Sequence, residues 1–103
     1  MSEQQGLNVF ECIRQWATDK NLDGPERVMP QTVKLMEEVG ELSRAVARRD
    51  AESFDDAIGD CVVVLTILAQ SQGRKIEDCI EGAWSVIENR KGVTVNGFFV
   101  KQD

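Results

Sequence analysis

Residues 61–69 read CVVVLTILA, and whether this run is a strand or a helix decides the fold. Its β-branched residues suit a strand, and a short apolar run alone does not separate a buried strand from a buried helix. Length does. Phe54, Ile58, Cys61 or Val62, Leu65, and Leu68 or Ala69 continue one helical face from Ala51 to Gln72, well beyond the usual strand of about 5–6 residues. A helix is therefore expected here, ended by Gly73. Because it is apolar on most sides, it should be the central helix or an oligomer face.

Upstream, a second helix is expected to run from Pro30 to about Arg49, carrying Val33, Met36, Val39 or Gly40, and Leu42 through Val46. Pro30 suits its first turn, where a missing N–H costs nothing. Gly40 in its middle costs about 1 kcal/mol relative to Ala and is expected to let another element come close. NLDGPERVMP (21–30) marks a connecting loop. Before it, Phe10, Ile13 and Ala17, with Trp16, set a first helix over residues 7–19.

Downstream, Ile76, Cys79, Ile80, Ala83 and Ile87 set a fourth helix that Gly92 should stop. In VTVNGFFV (93–100), two β-branched and aromatic runs flank Asn96-Gly97, the strongest short hairpin signal. The expected fold is one all-α domain over residues 1–103, a four-helix bundle with a C-terminal β-hairpin or extended arm. An oligomer is expected, since the third helix needs more cover than one small chain offers.

The chain has 103 residues and a net charge of −6. Such an acidic chain is not expected to bind nucleic acid, whose phosphates must be met by Lys and Arg. It contains no histidine, which removes the commonest general base and the commonest zinc ligand. Cys12, Cys61 and Cys79 form no CxxC pattern and are expected as small buried hydrophobes in a reducing, cytoplasmic compartment. No signal-like segment opens the chain and no apolar run has bilayer length, so no membrane partner is expected.

In KLMEEVGELSRAV (34–46), Glu38 and Glu41 share a helix face, with Glu37 alongside. DDAIGDCVVVL (55–65) places Asp56 and Asp60 four apart on the next helix. Antiparallel packing would bring these acids together into an all-oxygen pocket, which suits a hard cation such as Mg²⁺ or Mn²⁺. The plain alternative is a solvated acidic face. Lys34 stands at ion-pair spacing from Glu37 and Glu38, with a phosphate contact as its other role. Trp16 is read as core, with base stacking as the alternative. Gln31 is either an ordinary first-turn residue or a contact to a base or sugar.

The pair Q..KLMEEVGEL (31–42) and DAIGDCVVVL (56–65) resembles the MazG-type nucleoside triphosphate pyrophosphohydrolases, an all-α family related to dimeric dUTPases. The tail NRKGVTVNGFFVK (89–101) resembles the end of small MazG-like proteins. The family signature is Glu-Glu-x-x-Glu, a spacer, then Glu-x-x-Asp. Glu37, Glu38 and Glu41 match its first half, and Asp60 matches its last position. One position departs: Ala57 stands where the second motif has Glu, and Asp56 is the nearest substitute, with Asp55 behind it.

The resemblance implies Mg²⁺-dependent hydrolysis of a nucleoside or deoxynucleoside triphosphate to monophosphate and pyrophosphate; the oligomer expected from the apolar third helix would be a homodimer or homotetramer. It implies that Glu38, Glu41, Asp56 and Asp60 hold metal. Glu37 would hold a second metal or orient water, beside Glu38 and Glu41 in catalysis. By the same resemblance Asn89 and Lys91 contact the nucleotide, and the alternative roles of Lys34, Trp16 and Gln31 given above would join them as substrate contacts. Arg90 and Lys91 also have a structural reading, as cations at a helix end. No G-x-x-x-x-G-K-[ST] run is present, which excludes a P-loop site. Two other readings stand: a MazG-like regulator that binds without turnover, and a structural oligomerisation module.

Overall fold

Asn8 opens the first helix, α1 (Val9–Asp19). Its side chain accepts a hydrogen bond from the Glu11 amide at 2.9 Å, and the Glu11 carboxylate accepts from the Asn8 amide at 3.2 Å. This reciprocal cap holds Asn8 extended, so the helix starts two residues later than its apolar spacing suggested. A computed structural model of the chain describes residues 6–102, and the domain limits at 1 and 103 lie outside them.

A short 3₁₀ turn, Pro25–Arg27, leads into α2 (Val28–Arg48). Pro30 is thus the third helical residue, where its backbone nitrogen still has no helical partner to lose. Two residues join α2 to α3 (Ala51–Ser71). Arg49 takes the left-handed conformation (φ 55°, ψ 39°), and Asp50 caps α3 by accepting from the Ser53 amide at 3.1 Å. So tight a link forces α2 and α3 into an antiparallel hairpin, and α3 is the central helix, packed on α1, α2 and α4.

After α4 (Ile76–Ile87), β1 (Gly92–Val95) pairs antiparallel with β2 (Phe98–Lys101). Asn96 and Gly97 turn the hairpin with φ of 50° and 81°, the doubly positive pattern of a type I′ turn. Gly92 does not stop α4, which ends at Ile87. It begins β1 instead, where the Phe99 ring lies so close that a Cβ would strike it.

The chain does not close into a four-helix bundle. None of the α4 residues is buried; Ile80 is 65% and Trp84 60% exposed. Cys79 is exposed too, whereas Cys61 is buried as expected. The core lies in α1 to α3, while α4 and the hairpin project. The radius of gyration is 16.4 Å, against about 13 Å for a compact domain of this length.

Two helices also turn a different face inward from the one their apolar residues suggested. On α3 the buried stripe is Ala57, Cys61, Val64, Ile67 and Ser71, while Phe54, Ile58 and Leu65 are exposed. On α2 the buried residues are Gln31, Glu38 and Ala45, while Val33, Met36, Val39 and Val46 face outward. Gly40 admits no neighbour within the chain, since a Cβ there would meet nothing within 4 Å. Among the described residues no helix is long and apolar enough to cross a membrane.

Arg14 ties α1 to the first turn of α4 through two hydrogen bonds to Glu77, at 2.7 and 2.8 Å. These bonds hold the Glu77 carboxyl down to about 2. Its folded value is depressed, so its stabilising contribution is complete above the ordinary carboxylate range and is lost as pH falls toward 2. Urea midpoints measured between pH 5 and pH 2 should therefore fall more steeply for the parent than for Glu77→Gln. Parallel curves would mean the pair contributes nothing.

Candidate functional site

The two-residue link sets which side chains of α2 and α3 stand opposite one another. At about 1.5 Å rise per residue, Glu41 and Glu38 lie roughly 10 and 15 Å before Arg48, and Asp60 lies roughly 13 Å after Ala51. Antiparallel packing thus puts Asp60 level with the two glutamates. One carboxylate oxygen from each of Glu38, Glu41 and Asp60 lies within 4.8 Å of the others.

Glu38 is the buried member of the three, 6% exposed. Its Oε1 is 3.4 Å from the Lys34 ammonium, and its Oε2 is buried without a hydrogen-bond partner. A buried polar atom left unpaired costs about 1–3 kcal/mol, more when charged. Three acids sharing one small volume add mutual repulsion. A hard divalent cation on these oxygens would satisfy Oε2 and cancel that repulsion, so the donor set fits Mg²⁺ or Mn²⁺. The chemistry of the site also shows in its neighbours. Lys34 is held above the usual lysine range, first by its hydrogen bond to Glu38 and then by the charge of Glu37. Burial, with the charges of Glu38, Asp60 and Glu41, pushes the Cys61 thiol up and keeps it neutral.

A cavity of about 530 Å³ opens on one side of the acids, between α1, α2 and α3. Trp16, Leu22, Pro30, Gln31 and Lys34 line it, and Glu38 and Asp60 close its acidic end. Trp16 is 46% exposed, so it forms a cavity wall rather than filling the core. Gln31 is only 8% exposed. The cavity combines an aromatic wall, a buried amide and a carboxylate end.

A second cavity, of about 380 Å³, opens on the other side of the acids toward the α2–α3 link. Glu41, Asp56 and Asp60 line it together with Ala57, Arg44 and Arg48. Asp56 therefore faces the site without joining the three-carboxylate cluster. Glu37 is exposed, pairs with Lys34 at 3.5 Å, and lines neither cavity. Asn89 and Lys91, beyond the end of α4, also line neither, so one chain does not bring them to the acids. Arg44 and Arg48 did not emerge from the sequence reading, although their signal was there. Positions 38, 41, 44 and 48 rise in steps of three and four, which places them on one helix face.

Comparison with known proteins follows the same residues. The model of the MazG nucleotide pyrophosphohydrolase domain matches residues 26–93, more than half of the chain. The chain is 48% identical over 62 residues to an uncharacterised 18.2 kDa protein from the rep-hol intergenic region of Haemophilus phage HP1. That match covers 60% of this chain and 38% of the phage protein, so the chain spans well under two thirds of its relative. No solved structure matches it.

Proposed function

The chain belongs to the MazG nucleotide pyrophosphohydrolase family, and on that premise we propose that it hydrolyses a nucleoside or deoxynucleoside triphosphate to the monophosphate and pyrophosphate. The observation that carries this reading is the unpartnered, buried Glu38 Oε2 beside Glu41 and Asp60, at the end of a cavity walled by Trp16 and Gln31. In this reading the cavity takes the nucleoside. Trp16 offers its ring face to the base, and the Gln31 amide offers a donor and an acceptor to its edge. Lys34 stands beside the acids, where it can meet the first phosphate.

Glu38, Glu41 and Asp60 would hold Mg²⁺, with Mn²⁺ as a substitute. The cation's chemistry would be to neutralise the triphosphate and polarise the phosphorus under attack. Water adds across the bridge between the α- and β-phosphates. One P–O bond forms, the bridging P–O bond breaks, and the water's proton passes to a carboxylate. In this reading Glu41, exposed and lining the second cavity, takes that proton on the oxygen turned away from the cation. The test is pyrophosphate release across the common NTPs and dNTPs with Mg²⁺ or Mn²⁺, beside Glu41→Ala. Release that persists unchanged in the variant would sink the assignment.

The working unit in this reading is a homodimer or homotetramer in the cytoplasm. Val33, Met36 and Val39 on α2, and Ile80 and Trp84 on α4, are exposed apolar residues with no cover in one chain. Gly40 leaves room beside the α2 stripe for a second backbone. Sedimentation equilibrium should give a multiple of the 11.5 kDa chain mass, and Met36→Asp should lower it.

Ala57 favours a second reading, binding without turnover. It is buried at 4% exposure in the wall of the second cavity, at the position where the family signature has Glu. If the missing carboxylate limits catalysis, Ala57→Glu creates or raises pyrophosphate release. An unchanged rate would clear this position of any defect.

A further inference from the structure

The two cavities and the carboxylates between them form a single track along the α2–α3 hairpin. Asp60 lines both cavities, with Glu38 at the edge of the first and Glu41 at the edge of the second. From the far end toward the link, α2 presents Gln31, Lys34, Glu38, Glu41, Arg44 and Arg48 in turn. By the helical rise, Arg44 lies about 4.5 Å beyond Glu41, and Arg48 about 10 Å beyond it.

Among the described residues, neither arginine makes an ion pair: the recorded pairs use Arg14, Arg27 and Lys34. Arg48 acts on Asp50 through its charge alone, a smaller influence than the Ser53 hydrogen bonds that hold that carboxyl below its usual range. The second cavity nevertheless contains Asp50 and Asp56 as well as Glu41 and Asp60. Asp50 is occupied elsewhere. Its Oδ1 accepts from the Ser53 amide at 3.1 Å and its Oδ2 from the Ser53 hydroxyl at 2.8 Å, capping α3. In a chain of net charge −6, two guanidinium groups one turn apart on a cavity wall, neither within ion-pair distance of a carboxylate among the described residues, are available to an anion. Guanidinium forks match phosphate oxygens in two-bond geometry.

We propose that Arg44 and Arg48 form a pyrophosphate subsite, which holds the β- and γ-phosphates of the substrate and the pyrophosphate product. This deepens the reading given above and rests on its placement of the nucleoside beside Trp16 and Gln31. With the base at that end and the carboxylates in the middle, the tail of the triphosphate points toward the α2–α3 link. The arginines supply positive charge on the side of the leaving group, where charge develops as the bridge breaks. They also make the site selective for length, because a monophosphate ends before it reaches them.

The probe is inorganic pyrophosphate, titrated calorimetrically in the presence of Mg²⁺ into the full chain, with a nucleoside monophosphate titrated in parallel. Arg44→Gln with Arg48→Gln should weaken pyrophosphate at least about tenfold, the effect expected from losing charge-assisted hydrogen bonds. Monophosphate affinity should stay within about twofold, since only the tail contacts are removed. Both positions are exposed on α2, and glutamine is close to arginine in helix propensity, so the fold should hold. Undiminished pyrophosphate binding, or equal loss of both ligands, would overturn the subsite.

A second measurement needs no variant. Pyrophosphate should protect Arg44 and Arg48 of the parent chain from an arginine-directed dicarbonyl reagent, read by peptide mass. Modification at the same rate with and without pyrophosphate would also overturn it. Both readouts are independent of turnover. A chain that hydrolyses no triphosphate but binds pyrophosphate through these arginines would refute the catalytic reading and keep the subsite.

Discussion

Glu38→Gln is expected to lower pyrophosphate release at least about a hundredfold, the scale seen when a group that stabilises transition-state charge is removed. The ligand-free protein should be no less stable. The two outcomes follow from the same atom. Gln keeps the size and shape of the side chain but removes the charge that Glu41 and Asp60 oppose, and its amide is a poorer ligand for a hard cation. In the parent, Oε2 is buried without a partner, so the folded chain bears a desolvation cost that the variant reduces. Against this, the variant loses the ion pair from Lys34, whose own side chain is 53% exposed; such pairs are worth only about 0–1 kcal/mol. Initial rates and denaturant midpoints measured on the same preparation decide the matter. Unchanged turnover would place the chemistry elsewhere. A drop of several kcal/mol in stability would instead make Glu38 a structural residue.

Mg²⁺ or Mn²⁺ should raise the thermal midpoint of the parent chain, and Asp60→Asn should remove most of that rise. A ligand that binds only the folded state at 100 times its Kd adds about 2.7 kcal/mol. For a domain of this size that corresponds to roughly 10–20 °C. Protein concentration must be held constant, because assembly also shifts the midpoint. Asp60 is the informative position: it is the one member of the cluster on α3, and it borders both cavities. A metal centre therefore depends on the α2–α3 hairpin being formed. A midpoint indifferent to either cation would favour the structural oligomerisation module, which predicts no metal effect.

The helices were legible because each carries its own signals. Length settled CVVVLTILA as helix, Asn96-Gly97 announced the hairpin, and Pro30 sat in a first turn. The cluster of Glu38, Glu41 and Asp60 was legible for the same reason, since helical spacing fixes which residues share a face. The end of α4 was placed about one turn too late because Gly92 reads equally well as a helix stop and as the start of a strand. Glu37 could be read from spacing either as a site residue or as a solvent-facing charge, and the fold leaves it exposed on α2, 3.5 Å from Lys34.

Sequence alone determined the elements, the acids that could meet, and the family signature, because these depend on local spacing along the chain. Only the tertiary structure decided which way the helices face. On α2 the apolar residues Val33, Met36 and Val39 turn outward, and Gln31, Glu38 and Ala45 turn toward α3. An amphipathic pattern reports that a helix has two faces; it does not report which face meets its own chain and which awaits another surface. The two-residue link at Arg49 and Asp50 settles that by fixing the rotation and register of α2 against α3. The buried Glu38, the two cavities and the unpaired arginines all follow from it.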